Sequence, residues 1–220
     1  MIAGDRDVAH LDIISDESTY GRSCRDPRCH VETSAGGASS GSRYLLPVPE
    51  LIAPTVRFHA EWLATHVEWG PGAHEDGFGL SPSDDVASPI GFTAWVRRLL
   101  DQSDPAKASA MGRVPCNYWW IVEDTQVLGG IALRHGLNET VEQLGHIGFG
   151  IRPSARRRGL ATWALGRVLD EARALDLDRV LLVCEENNAA SAKTIQRLSG
   201  ILEPVRETEQ GPARRYWITL

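Results

Sequence analysis

Two rhythms of apolar positions alternate along this chain. One repeats every three or four residues; the other is a short run in which each or every second residue is apolar. Leu51, Thr55, Phe58, Trp62, Thr65 and Trp69 follow the first and predict a helix from Pro49 to Trp69. Phe92–Leu100 predicts a second helix, with Trp95 and Leu99 on its buried stripe. Tyr118–Glu123 and Val127–Arg134 read as strands around a turn at Asp124-Thr125-Gln126. Neighbouring side chains on a strand point to opposite faces, so Trp119 and Trp120 are read as sheet packing, not a stacking platform. Leu144–Ile151 predicts a third strand. Gly159–Leu175 predicts a helix with the stripe Leu160, Ala164, Val168, Ala172, Leu175. Arg179–Cys184 is a continuous apolar run of the kind buried on both faces. Asn188–Leu198 predicts a helix, and Leu202–Val205 and Arg215–Thr219 closing strands. Tyr44–Val48 reads as a short edge strand, and Gly70–Pro89, rich in Gly, Pro, Ser and Asp, as a long loop. Strands and helices mixed in this order predict an α/β (α+β) fold, a mixed sheet with helices on its faces.

Residues 1–43 show neither rhythm. Gly, Ser, Asp and Arg dominate there, and such a segment buries too little apolar surface to offset its ordering entropy. It is expected to be a disordered extension, with the folded domain over 44–220. Its Cys24, Cys29 and His30 lack a further ligand at metal-binding spacing, so no metal is expected. The remaining cysteines, Cys116 and Cys184, do not form a disulfide framework, and a cytoplasmic location is the expectation. No apolar run has the ~20 residues of a membrane helix, so no membrane partner is expected. The net charge of −6 argues against a general nucleic-acid partner.

One local exception to that acidity carries chemistry. The strand to Ile151 is followed by Arg152, Pro153, Ser154, Ala155, Arg156, Arg157, Arg158 and Gly159, and then by a helix. Amides at a helix N-terminus lack internal partners and carry partial positive charge. A basic loop leading into one suits a phosphate or pyrophosphate; a solvated basic loop with an ordinary cap accounts for the charge equally well. Gly145, Gly148 and Gly150 fit a strand that lets an extended ligand approach its backbone.

Arg156-x-x-Gly159-x-Ala161, set between a strand and an amphipathic helix, resembles the pyrophosphate loop of the GNAT (Gcn5-related N-acetyltransferase) superfamily. Asn188-x-x-Ser191, opening a later helix, resembles its second signature. With Gly145–Pro153, Cys184, Lys193-Thr194-Ile195 and Arg215–Ile218, the chain is most similar to a poorly characterised group of predicted bacterial acetyltransferases. The resemblance implies a mostly antiparallel sheet, splayed between the Leu144–Ile151 and Arg179–Cys184 strands to hold acetyl-CoA. The backbone of Phe149, Gly150 and Ile151 would pair with the pantetheine arm. Amides of Arg156, Arg157, Arg158, Gly159, Leu160, Ala161 and Thr162 would hold the pyrophosphate, and Asn188 and Ser191 would border the thiol end. The acceptor would be a small-molecule or protein amine, attacked directly in a ternary complex. A homodimer is common in the family.

The same resemblance places the family's acid, a tyrosine, at Ile195, which donates no proton; a thiolate with a pKa near ~8.5 can leave unassisted. The family's base falls near Gly145. His146, Glu142 and His135 are the candidates beside it, His146 first because an imidazole pKa near ~6.5 suits proton removal. Cys184 reads as a small buried hydrophobe ahead of a covalent nucleophile. His66, Glu68, His74, Glu75, Asp76, Asp84 and Asp85 make the acceptor region acidic, as a cationic amine requires; a solvated acidic loop has the same composition. The alternative to an enzyme is a non-catalytic acyl-CoA-binding module, which the missing tyrosine favours. A nucleotide-binding protein of another class is disfavoured, because neither Gly-x-x-x-x-Gly-Lys-Ser/Thr nor Gly-x-Gly-x-x-Gly occurs at a strand-to-helix turn.

Overall fold

Two prolines, Pro49 and Pro54, bracket the first element and make it a strand, not the start of a helix. The computed structural model describes residues 48–70, 76–204, 206–208 and 211–220. The extension with Cys24, Cys29 and His30, all but Val48 of the strand predicted at Tyr44–Val48, and His74 and Glu75 lie outside the described residues. Strand β1 (Glu50–Ile52) pairs antiparallel with β2 (Cys116–Glu123), placing Ile52 opposite Trp120. Pro54 supplies no amide to a ladder or a helix interior. The predicted helix therefore begins only after a 3-10 turn at Val56–Phe58, as α1 (His59–Trp69). Helix α2 (Pro89–Asp101) starts with Pro89 in its first turn, and the Ser88 hydroxyl accepts the Gly91 amide. Helix α3 (Pro105–Ala110) was not predicted; it buries only Ala108, so it has no stripe to read.

A tight turn with Asp124 at φ 53° joins β2 to β3 (Gln126–Arg134). Leu144 does not start the next strand. It ends a short helix, α4 (Glu139–Leu144), whose first turn is capped by Asn138. Strand β4 (Ile147–Ile151) then pairs antiparallel with β3, Ala132 facing Gly148 and Gly130 facing Gly150. The first sheet thus has the order β1-β2-β3-β4. Helix α5 (Leu160–Ala174) leads to the second sheet. There β5 (Arg179–Glu185) pairs antiparallel with β8 (Gly211–Thr219), which also takes β6 (Ile201–Leu202) and β7 (Arg206–Thr208). Helix α6 (Ala189–Arg197) lies between β5 and β6 in the chain.

The first sheet is covered on both faces. On one, Trp120 and Val122 meet Trp62 of α1 and Phe92, Trp95 and Leu99 of α2. The rings of Trp95 and Trp120 stack at 5.8 Å, and the Thr65 hydroxyl bonds the Val127 carbonyl at 2.6 Å, fixing α1 to β3. On the other, Ile121, Ile131, Leu133 and Ile147 meet Leu165, Val168 and Ala172 of α5, with Val180, Leu182 and Tyr216 of the second sheet. Trp119 packs on this side and Trp120 on the first, as alternation along a strand requires. Leu175, predicted to end the buried stripe of α5, is 41% exposed.

Candidate functional site

The two sheets are stitched together at one short place. Gly145 bridges to Leu182, and the His146 amide donates to the Leu181 carbonyl at 2.7 Å. Nδ1 of His146 accepts the Leu181 amide at 3.0 Å. Gly145 has φ +83°, and a Cβ on it would come within 2.8 Å of the Leu181 carbonyl oxygen, so this contact needs glycine. Beyond it, β4 and β5 form no ladder among the described residues, and a cleft opens between them.

His146 is therefore a pin between strands. It is 4% exposed and lines neither end of the cleft. Burial, with Arg134 nearby, lowers its pKa from 6.5 to about 4, so the ring is neutral and Nδ1 is free to accept. The unfolded chain then binds more protons than the folded one between those two pKa values. Stability should fall by roughly 1–3 kcal/mol as pH drops from about 6.5 towards 4. Urea unfolding at about pH 7.5 and about pH 5 tests this. The wild type should lose stability and His146→Gln should lose less; equal losses would contradict the assignment.

One end of the cleft is a cavity of about 410 Å³ lined by Phe149, Gly150, Ile151, Arg156, Arg157, Gly159, Leu160, Ala161, Thr162, Asn188 and Ser191. Every residue assigned by resemblance to the cofactor is here except Arg158. The loop turns through two left-handed residues, Arg157 (φ 63°) and Gly159 (φ 82°). The first backbone bond into α5 runs from the Trp163 amide to the Gly159 carbonyl, at 3.0 Å. The amides of Leu160, Ala161 and Thr162 precede it and remain at the helix end, with positive partial charge.

Two of the four loop arginines are spent on structure. Arg152 pairs with Glu68 of α1, and Arg158 pairs with Glu123 at 2.7 Å. Glu68 also accepts the Ser154 amide at 2.5 Å, which ties the loop to α1. Burial alone would raise the Glu68 pKa; the bonds from Ser154 and Arg152 outweigh it and hold the carboxyl below its ordinary value. Arg156 donates Nε to the Ile151 carbonyl at 3.0 Å, and it and Arg157 face the cavity. The Asn188 side chain accepts the Ser191 amide at 3.0 Å, so the Asn-x-x-Ser element is also the cap of α6.

The other end is a cavity of about 260 Å³ that shares Asp76, Phe149, Asn188 and Ser191 with the first. Its floor is Ala132 and Gly148, and its walls include Tyr118, Arg134, Gln143, Cys184 and Glu185. Burial pushes the Tyr118 phenol and the Cys184 thiol up from their ordinary pKa values, so both stay protonated at neutral pH. Cys184 is half-buried, packs against the core and also lines the cleft. Ile195 is buried and apolar at its place in the wall.

The three base candidates are not brought together. Besides the pinned His146, Glu142 sits on α4 with its carboxylate on Arg215 at 2.8 Å. His135 lines a separate cavity with Leu99, Trp119 and Leu175, and burial lowers its pKa. Four described members of the acidic acceptor region make structural contacts. Asp84 pairs with Arg98 at 2.6 Å, Asp85 bonds Ser88, Glu68 holds Arg152 and His66 stacks on Trp62. Of that set, Asp76 is the described member that lines the cleft. It was grouped with six neighbours in the sequence, and only the packing of its loop over β4 distinguishes it. Among the described residues, no cluster of three or more His, Cys, Asp or Glu side chains could hold a metal ion. None of the described helices is long and apolar enough to cross a membrane.

A strand pair splayed beside a basic helix N-terminus defines an acyl-CoA-type transferase fold. Residues 42–200 match the family model of the acetyltransferase (GNAT) domain, and the chain belongs to that family of acetyl-CoA-dependent N-acetyltransferases. Solved structures share the fold at low identity. RimJ of Mycobacterium smegmatis in complex with CoA-disulfide has a TM-score of 0.58 at 16% identity, over 79% of this chain and 86% of that one. An acetyltransferase of Salmonella typhimurium that modifies the N-terminal serine of ribosomal protein L7/L12 has 0.56 at 14%, over 78% and 95%. The microcin C7 self-immunity acetyltransferase MccE, in complex with acetyl-CoA and AMP, has 0.57 at 13%, over 78% and 92%. At such identities the likeness establishes the fold. No curated protein sequence matches the chain at a significant level.

Proposed function

We propose that this chain moves the acetyl group of acetyl-CoA onto a primary amine by direct attack in a ternary complex, in the bacterial cytoplasm. The observation that carries this reading is the continuity of the cleft. An anion cradle at the start of α5 and a small-floored pocket meet at Asp76, Phe149, Asn188 and Ser191. The larger cavity takes the cofactor, its pyrophosphate on the amides of Leu160, Ala161 and Thr162 with Arg156 and Arg157. The pantetheine arm lies along Phe149–Ile151, and Asn188 and Ser191 border the thiol.

The amine enters from the smaller cavity. Its nitrogen attacks the acetyl carbon, the C–S bond breaks, and the thiolate departs. The amine's proton passes to the Asp76 carboxylate, directly or through water, because Asp76 stands where the two cavities join. Ile195 leaves the thiolate to depart without help from that position.

Thiol release from acetyl-CoA with a panel of amines tests the activity. Asp76→Asn should lower kcat by about 100-fold or more, with the acetyl-CoA dissociation constant changed only a few-fold. An undiminished kcat would remove Asp76 from the mechanism. The buried, apolar Ile195 favours a second reading, a module that binds acyl-CoA without turnover. Acetyl-CoA binding with no thiol release on any amine would establish that reading instead.

A further inference from the structure

Arg134 stands at the acceptor end of the cleft, and none of the described carboxylates pairs with it. It is the last residue of β3, half-buried, and lines the smaller cavity. One guanidinium nitrogen donates to the Gly145 carbonyl at 3.0 Å. Among the described residues no carboxylate lies within ion-pair distance of it. Several other arginines of the fold are paired: Arg98 has Asp84, Arg152 has Glu68, Arg158 has Glu123, and Arg215 has both Glu142 and Glu203. A guanidinium carries five N–H donors in a rigid fork, and one bond to a carbonyl leaves most of them to be met. In a half-buried cavity a carboxylate meets them best, by a charge-assisted, two-point contact.

Asp76 lines the same cavity as Arg134 and stands where it joins the larger one. The Asp76 backbone packs over Gly150, which faces Gly130 across the ladder. Arg134 lies four residues farther along β3 than Gly130, roughly 13 Å at the usual rise per residue. Phe78 covers Gly130 and Trp69 covers Gly150, and beyond them the floor carries little side-chain bulk. Ala132 faces Gly148, and the nearest atom to a Cβ built on Gly148 is the Gly77 nitrogen at 3.9 Å. The Gly77 backbone lies over Gly148, Asp76 stands where the two cavities join, and Arg134 lies at the far side.

We propose that the acceptor is a small primary amine that also carries a carboxylate, an amino acid or amino-acid-like compound. Its amine points to Asp76 and the acetyl group, and its carboxylate sits on Arg134. This rests on the acetyl-transfer reading of the same cleft. Tyr118, held as a neutral phenol by burial, adds a donor in the wall nearby. A protein N-terminus presents an amide where this ligand has its carboxylate, and leaves Arg134 without a counter-charge.

Thiol release with matched acceptors tests this: free α- and ω-amino acids, their amides, the corresponding decarboxylated amines and short peptides. The wild type should favour the acid over the amide by at least about tenfold in kcat/KM, chiefly through KM. Arg134→Gln should bring that ratio close to one, and Arg134→Lys should keep part of it. Amides or peptides used as well as acids by the wild type would overturn the proposal, as would an unchanged ratio in Arg134→Gln. The wild-type ratio stands even if a variant folds poorly for want of the bond to Gly145. A parallel calorimetric titration with acetyl-CoA separates the two levels. No binding sinks the acetyl-transfer reading, whereas binding and turnover without carboxylate preference sinks only the assignment of Arg134.

Discussion

Ala161→Asp is expected to weaken acetyl-CoA binding by at least about 100-fold, close to 3 kcal/mol, without weakening the fold. Ala161 is the second residue of α5 and lines the larger cavity. A carboxylate in the first turn of a helix meets the positive end of its dipole and contributes about 0.3–1 kcal/mol of stability. The same carboxylate would occupy the place assigned to the pyrophosphate and repel it. Stability and binding are thus expected to move in opposite directions, which simple damage to the fold does not produce. Thermal unfolding and calorimetry on the same sample check this. Unchanged affinity would move the anion site away from α5.

Gly148→Val is expected to reduce turnover of the acceptor by at least about 100-fold in kcat/KM while acetyl-CoA affinity stays within a few-fold. The left-handed region does not hold Gly148, and a Cβ there meets nothing closer than 3.9 Å. Valine also suits a strand. The added methyl groups project into the smaller cavity, over the floor shared with Ala132. Gly150 offers no such clean test, because its Cβ would lie 2.7 Å from the Asp76 carbonyl oxygen and push the loop itself. Kinetics with varied acceptor, beside an acetyl-CoA titration, read the two effects apart. Turnover left intact would mean that the acceptor does not cross this floor.

Where one local rhythm dominated, the fold was legible in the sequence. The stripe of α5 from Leu160 to Ala172 and the β2–β3 hairpin form as their patterns require. Leu51 and Thr55 fell by coincidence on the period of the helix that follows, and the two prolines beside them carried the truer signal. Helix α4 has Val141 as its only buried residue, too little for a pattern. The cavity at the start of α5 was legible because a strand, a loop and a helix N-terminus are consecutive in the chain. The acceptor end was not, because long-range pairing decides it. Glu68 lies 84 residues from Arg152, and Glu123 lies 35 from Arg158, so the sequence could not show which arginines were already spent. His146 looked poised for proton transfer by its position beside a glycine-rich strand. Its burial and its bond to the Leu181 amide, 35 residues away, make it a structural pin.

The gap between β4 and β5 is assigned to acetyl-CoA, with its pyrophosphate on the first turn of α5, and that assignment is open to a direct test. A calorimetric comparison of coenzyme A with pantetheine, which keeps the arm and thiol but lacks the pyrophosphate and the 3′-phosphoadenosine beyond it, tests it most directly. Coenzyme A is expected to bind at least about 100-fold more tightly. Equal affinity for the two, or no binding of coenzyme A, would contradict it.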